Sequence, residues 1–314
     1  MFFKVGNNVD KPSTGANVRS RVQFGGVHIS PVVPLVSIIP VLLFIGIFIF
    51  LPVGYSFLLS IQDYRLGFSS STFIGLDNYV ELFRSDKFGN ALKNSLIAST
   101  ATSFLSAGIG LFLALQLSSL RKGKLFYQTL FFIPVTATMA AMAIVWRFIF
   151  HTEFGVMNAL LLQLGLGKVS WLQLDATAMM AVILLSVWSS FGYALVLFLA
   201  GFAGIPSSII EAATIDGAGY AARFWKIILP LISPTTIFVF VVMTVRALEN
   251  FDAIRVLTDG GPATATQTLS HLLYQEGFLF FRTGFASAIA IVFFLLPMAI
   301  SKIQLIAERW VHYE

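Results

Sequence analysis

The sequence predicts an all-α protein, a polytopic membrane bundle of six transmembrane helices, and three observations carry that prediction. First, 57% of the residues are hydrophobic and 11% charged, with a mean hydropathy of +0.85. A soluble domain carries about a quarter charged residues, so water cannot be the solvent for most of this surface. Second, formal charges are absent from six long intervals. They run for 41 residues between Arg21 and Asp63, 27 between Lys93 and Arg121, 22 between Lys124 and Arg147, 35 between Asp175 and Glu211, and 19 both between Lys226 and Arg246 and between Arg282 and Lys302. Third, each interval can hold one helix of the roughly 20 apolar residues that cross a hydrocarbon core of about 30 Å with every backbone polar group paired internally.

In order along the chain, residues 1–32 form a polar tail bearing Lys4, Lys11, Arg19 and Arg21, expected in the cytoplasm, and residues 33–314 form the transmembrane domain. The first apolar stretch contains Pro34, Pro40 and Pro52 and is longer than the apolar region of a cleaved leader, so it is read as a retained span. The spans are placed at 35–60, 95–118, 127–150, 177–201, 233–255 and 284–306. An even number puts both termini on one side. That side collects eleven basic residues, including Arg121, Lys122, Lys124, Arg223, Lys226, Lys302 and Arg309, whereas the opposite side has eight accompanied by as many acidic ones. The positive-inside rule therefore places both termini in the cytoplasm. Loops around 61–94, 151–176 and 256–283 then face outward. Thr258-Asp259-Gly260-Gly261-Pro262 cannot continue a helix and supports the last of these.

Several chemistries are excluded by composition. The chain has no cysteine, so disulfides, thiolate ligands and thiolate nucleophiles are absent. His28, His151, His271 and His312 stand singly, without the spacing of metal ligands, so no metal site is expected. The net charge of +5 forms no basic stripe interleaved with aromatics, and nucleic acid is not an expected partner. No G-x-x-x-x-G-K-[ST] loop is present, so the chain is not expected to bind or hydrolyse ATP, and no Ser/His or Asp/Asp constellation marks it as an enzyme.

The most informative segment is 205–230, on the cytoplasmic side between spans four and five. It reads as helix, turn, helix: Pro206 marks the break from span four, Ser208 and Glu211 have capping-box spacing, Gly217-Ala218-Gly219 stops the first helix, and Tyr220 to Ile228 form a second that Pro230 ends. Alanines at 212, 213, 218, 221 and 222 leave a thin surface that another protein can approach closely. Glu211-Ala212-Ala213, three residues, Gly217, nine residues, Ile227, one residue, and Leu229-Pro230 reproduce the E-A-A loop of permease subunits of binding-protein-dependent ABC importers.

Phe73-Ile74-Gly75-Leu76-Asp77-Asn78-Tyr79, Leu130-Phe131-Phe132-Ile133-Pro134 and Phe251-Asp252-Ala253-Ile254 with Leu257-Thr258-Asp259-Gly260-Gly261-Pro262 resemble the carbohydrate-uptake branch of that family, of maltose and glycerol-3-phosphate type, in particular the first permease of the pair. The resemblance runs from about residue 33 to the C-terminus. It implies a cytoplasmic coupling helix in which Glu211, Ala212, Ala213, Asp216, Gly217, Leu229 and Pro230 contact an ATPase. It implies further partners: a second homologous permease, two copies of a cytoplasmic ATP-binding subunit that hold ATP and Mg, and an external solute-binding protein, all in a bacterial inner membrane. The cargo implied is a sugar, oligosaccharide or sugar-like solute such as a polyol phosphate.

Charges within spans mark pathways or partners. Span five carries Arg246, Glu249 and Asp252. Arg246 and Glu249, at i, i+3, can pair on one face, and Met243, Arg246 and Asn250 share a face. Span four offers Ser186, Ser189, Ser190 and Tyr193 at helical spacing with Trp188 nearby, hydroxyls and rings that suit a sugar. The candidate pathway residues are therefore Trp188, Ser190, Tyr193, Met243, Arg246, Glu249 and Asn250. Two structural readings stand beside this one: an ion pair that anchors the helix at the interface, and serines that pack helices together. An autonomous secondary transporter or channel is the competing class; it would show inverted repeats, and none is visible.

Overall fold

The computed structural model describes residues 32–68, 71–120 and 122–308. The N-terminal tail, Arg121 and Arg309, which carry part of the charge bias, lie outside the described residues. The described chain is helical apart from loops and one short antiparallel ladder, in which β1 (Gln62–Asp63) pairs with β2 (Thr72–Phe73). It divides into two units, Met1–Tyr55 and Ser56–Glu314.

In the first unit α1 (Val32–Ile45) passes through a π-helical turn at Gly46–Phe50 into α2 (Leu51–Ser60). The wide turn has a local cause. Pro52 has no N–H for the carbonyl of Phe48 and its ring crowds it, and Leu51 instead donates to Gly46, five residues back.

The second unit continues with α3 (Asp77–Arg84), α4 (Asp86–Ser118), α5 (Lys124–Thr136), α6 (Met139–Ile149), α7 (Val156–Gln163) and α8 (Asp175–Ala203). After them come α9 (Ser207–Ile215), α10 (Tyr220–Arg223), a π-helical turn at Phe224–Ile228, α11 (Leu229–Leu231) and α12 (Ser233–Leu248). The chain closes with α13 (Phe251–Leu257), α14 (Leu269–Tyr274), a third π-helical turn at Gln275–Leu279, and α15 (Thr283–Glu308). Four helices, Ile38–Ser60, Asp86–Ser118, Asp175–Ala203 and Thr283–Ile306, are long and apolar enough to cross a membrane. Two bent pairs, Lys124–Thr136 with Met139–Ile149 at 95° and Tyr220–Leu231 with Ser233–Leu248 at 69°, raise the number to six if each is one span.

Three expected spans are corrected. The second starts earlier than expected, at Asp86. The third is not a straight helix over 127–150. Pro134 cannot donate to Leu130, Ala137 adopts an extended conformation (φ −78°, ψ 142°), and the chain turns sharply before α6. The fifth does not run over 233–255. It ends at Leu248 because Asn250 (φ −75°, ψ 74°) leaves the helix and turns its side chain onto the Ala253 N–H, starting α13 afresh.

The centre of the unit is α8, about 43 Å long at 1.5 Å per residue, with α4 packed along it. Small residues allow the approach: a Cβ on Gly110 would stand 2.7 Å from the Ala194 Cβ and 2.8 Å from the Leu195 nitrogen, and one on Gly192 would collide with the Phe131 carbonyl oxygen of α5. Towards the C-terminal end of α8, Ala107, Ala114, Leu117, Leu195, Phe198, Ile232, Val239 and Met243 form a packed core of α4, α8 and α12. Ser103 and Thr244 add a 3.1 Å hydrogen bond between α4 and α12, worth about 0.6 kcal/mol for a typical interhelical pair in a membrane. Towards the N-terminal end of α8, Ala143, Phe150, Trp171, Leu185, Ile254 and Leu257 join α6, α8 and α13.

Candidate functional site

Beyond the C-terminal end of α8 lies the helical hairpin, whose corner follows from backbone chemistry. The α9 helix ends in a Schellman motif: Ala218 N–H donates to Ala213 O at 2.9 Å and Gly217 N–H to Thr214 O at 3.1 Å, with Asp216 as the last half-helical residue. Gly217 sits at φ +77°, in the left-handed region that glycine occupies without strain. Arg223 donates to the Thr214 hydroxyl at 2.8 Å and ties the second arm to the first.

Two local expectations are corrected. The capping box of Ser208 and Glu211 does not form: Pro206 is the N-cap, both serines are already helical, and no side chain caps the end. Nor does Pro230 end the second arm. The helix widens into the π turn Phe224–Ile228 ahead of the proline, sparing the clash with Lys226, and continues to Leu231. Ala213 is buried and Leu229 packs against the core of α4, α8 and α12, while Glu211, Ala212, Asp216 and Gly217 are exposed and Pro230 is half-buried. The hairpin also exposes large apolar side chains, with Ile215 at 86%, Trp225 at 65% and Tyr220 at 62%. They extend the surface beyond the residues expected from the sequence.

Midway along α8 the structure forms a chamber of about 300 Å³ lined by Thr102, Met139, Ser186, Ser189, Ser190, Arg246, Ala247, Glu249, Asn250, Phe251 and Asp252. Four expected pathway residues, Ser190, Arg246, Glu249 and Asn250, line it together. The break between α12 and α13 brings Ala247 and Glu249 to Asp252 to the chamber wall, and Asn250 Nδ2 donates to Ser186 Oγ at 2.7 Å while Oδ1 accepts from the Ala253 N–H. The Arg246–Glu249 pair is a correction: among the described residues no carboxylate lies within 4.0 Å of Arg246. Its guanidinium instead lies over the Tyr193 ring, 4.9 Å from the centroid.

Tyr193 lies beneath Arg246 and is not among the lining residues, and two further expected residues fall elsewhere. Met243 is buried in the apolar core, because its face of α12 points to α4 and α8. Trp188 packs in an aromatic cluster 5.7 Å from Trp146, away from the chamber. Thr102, Met139 and Phe251 were missed. For Thr102 a signal existed in the hydroxyl-rich run Ser99 to Ser106 inside span two.

Past the N-terminal end of α8, at the opposite end from the hairpin, a cavity of about 870 Å³ is lined by Arg147, His151, Thr152, Glu153, Gln173, Arg255, Thr258 and Asp259 with four apolar residues. Lys168 donates to Glu153 at 2.6 Å, and this bond holds the Glu153 carboxyl below the usual carboxylate range. Asp259 pairs with Arg255 and accepts from His271 Nε2 at 3.1 Å. Partial burial pushes the Asp259 carboxyl up, but those two hydrogen bonds outweigh it and leave it low. His271 is fully buried, and burial holds its pKa below the ordinary value against the pull of Asp259. A neutral ring donating from Nε2 leaves Nδ1 without a partner, against Gly260.

Residues 106–312 match the model of a family described as binding-protein-dependent transport system inner membrane component. The chain belongs to this family. It is 37% identical over 317 residues to the probable ABC transporter permease protein YesP of Bacillus subtilis, covering 98% of each chain. It is 35% identical over 284 residues to the sn-glycerol-3-phosphate transport system permease protein UgpA of Yersinia pseudotuberculosis, covering 89% of this chain and 96% of the relative. Its fold matches a chain of a bacterial ABC transporter involved in import of the acidic polysaccharide alginate, with a TM-score of 0.76 at 24% identity over 90% of this chain and 96% of that one. This family member is accordingly a permease, the non-catalytic, multi-pass inner-membrane component of an ABC transporter, and it works with a binding protein and partner subunits.

Proposed function

We propose that this permease forms one half of the pore of an importer for a sugar, oligosaccharide or sugar-like solute, driven from the cytoplasm through the hairpin 205–230. The observation that carries the reading is that hairpin: its corner is fixed by the Schellman turn at Gly217, one arm is rooted in the core through Leu229, and its remaining face exposes the large apolar side chains of Ile215, Tyr220 and Trp225. An exposed apolar face on a rigid corner fits a groove in a second protein. Glu211, Ala212, Asp216 and Gly217 present the first arm to an ATPase, and closure of two ATPase copies around ATP and Mg moves the hairpin as a lever. The ATP and Mg belong to that subunit, and a second homologous permease completes the pore. The hairpin and both termini face the cytoplasm, in keeping with the basic bias. The opposite cavity then faces the external binding protein.

The chamber chemistry supports a polyhydroxylated cargo. Glu249 and Asp252 can accept from hydroxyls, Arg246 can donate, Ser189 and Ser190 can do both, and Phe251 offers a face for C–H surfaces. The relatives point the same way, one named for a polyol phosphate and one neighbour for a polysaccharide. The test is uptake of radiolabelled sugars into proteoliposomes holding this chain, its companion permease and the ATPase. Uptake should require ATP and every subunit; flux through this chain alone would refute the reading.

A further inference from the structure

We propose that the cavity at the end of the bundle away from the hairpin binds the anionic group, carboxylate or phosphate, of an acidic carbohydrate, and that Arg147 is the cation that receives it. The inference rests on the transport reading above and deepens it by naming the substrate class. Its basis is the distribution of charge between the two cavities.

In the large cavity every acidic side chain is already neutralised. Glu153 is held by Lys168 at 2.6 Å, and Asp259 is held by Arg255 and by His271 at 3.1 Å. Arg147, exposed in the last turn of α6, has no carboxylate within 4.0 Å among the described residues. The cavity therefore presents one guanidinium without a carboxylate partner, in a lining that also carries the hydrogen-bonding side chains of Thr152 and Gln173. The chamber has the opposite balance, with Arg246 against both Glu249 and Asp252.

A guanidinium binds carboxylate or phosphate through two parallel hydrogen bonds, and it does so more strongly where surrounding protein excludes part of the water. At about 870 Å³ the cavity has nearly three times the volume of the 300 Å³ chamber, room for an anionic sugar with neighbouring rings. The anion is thus read at the far cavity, and hydroxyls are read in the chamber. The two sites discriminate different parts of the same class of solute.

The experiment uses the assembled complex with its ATPase in nanodiscs and isothermal titration with three probes: trigalacturonate, glucose 6-phosphate and neutral maltotriose. The wild-type complex should bind at least one anionic probe about tenfold more tightly than maltotriose, and raised salt should shrink that preference. A preference for trigalacturonate alone identifies a carboxylate, for glucose 6-phosphate alone a phosphate, and for both a shared anion site. Arg147→Gln should erase the preference, and Arg147→Lys should retain part of it, because the charge stays while the bidentate geometry is lost. Equal affinity of all three probes for the wild type, or a preference that survives R147Q, would overturn the proposal. Assembly with the ATPase reports on the hairpin and does not involve Arg147, so a wild-type complex that assembles with the ATPase yet shows no anionic preference defeats the anion site and leaves the coupling reading standing.

Discussion

The hairpin and the chamber are built on opposite principles. The hairpin leaves its large side chains, Ile215, Tyr220 and Trp225, in the open and relies on backbone bonds at Gly217 and the single Arg223–Thr214 contact for its shape. In the chamber, Thr102, Ser186, Ser189 and Ser190 are buried, and Asn250 is fixed from both ends of its amide by Ser186 and Ala253. A surface made to be covered by another chain needs a stiff frame and few internal partners. A site made to hold a polar cargo within a membrane must satisfy its own polar groups first, since each one left bare costs about 1–3 kcal/mol. The difference separates what moves the permease from what the permease moves.

The sharpest break in that comparison is expected at Gly217. Gly217→Val puts a β-branched residue at φ +77°, in open space but in the wrong backbone region, at a cost of at least about 1–2 kcal/mol. ATP-driven uptake should fall about tenfold or more, the factor that about 1.4 kcal/mol represents, while the amount of protein in the membrane and the binding of solute are unchanged. Uptake assays beside membrane immunoblots check this, and normal uptake would detach the turn from coupling.

That site was legible because it is local. The residues from Glu211 to Pro230 lie within one stretch of chain, and glycine after an alanine-rich helix announces its own turn. The chamber was half legible. Arg246, Glu249 and Asn250 stood out as polar groups in an apolar span, but Thr102 and Met139 arrive from other helices, and nothing in the sequence states which helices meet. Met243 misled for a related reason: it lies one turn before Arg246 in the same unbroken α12, but at its level that helix packs on α4 and α8 and leaves no space for cargo. The kink after Thr136 was carried by Pro134 alone, a residue that other spans absorb without bending so far, as Pro297 inside α15 shows.

A smaller effect is expected on the chamber side. Asn250→Ala removes both the bond to Ser186 and the cap of α13, and loss of such a cap costs about 0.5–2 kcal/mol. The half-saturating solute concentration should rise several-fold with ATPase assembly intact, the reverse of the Gly217 pattern. If assembly fails and solute binding persists, the division between the two regions is wrong.

The smallest effect concerns the loop beyond the chamber. His271 is held neutral by burial, so the unfolded chain binds a proton that the folded one refuses once pH falls below about 6.5. Stability is therefore full above that value and is lost as pH falls from there towards the depressed folded pKa. The melting temperature of the solubilised complex should drop by a few degrees between pH 7.5 and 5.5, and His271→Gln should flatten the drop. An equal drop in the variant would assign the pH dependence elsewhere.

The central claim is that the exposed hairpin is the cytoplasmic handle of an ATP-driven pore. The absence of native cysteine allows A212C to be labelled alone in this chain. A membrane-impermeant maleimide should modify A212C in inside-out vesicles stripped of the ATPase, should fail to modify it once the ATPase is restored, and should leave it untouched in spheroplasts. Labelling in spheroplasts, or labelling that the ATPase does not block, would contradict the account.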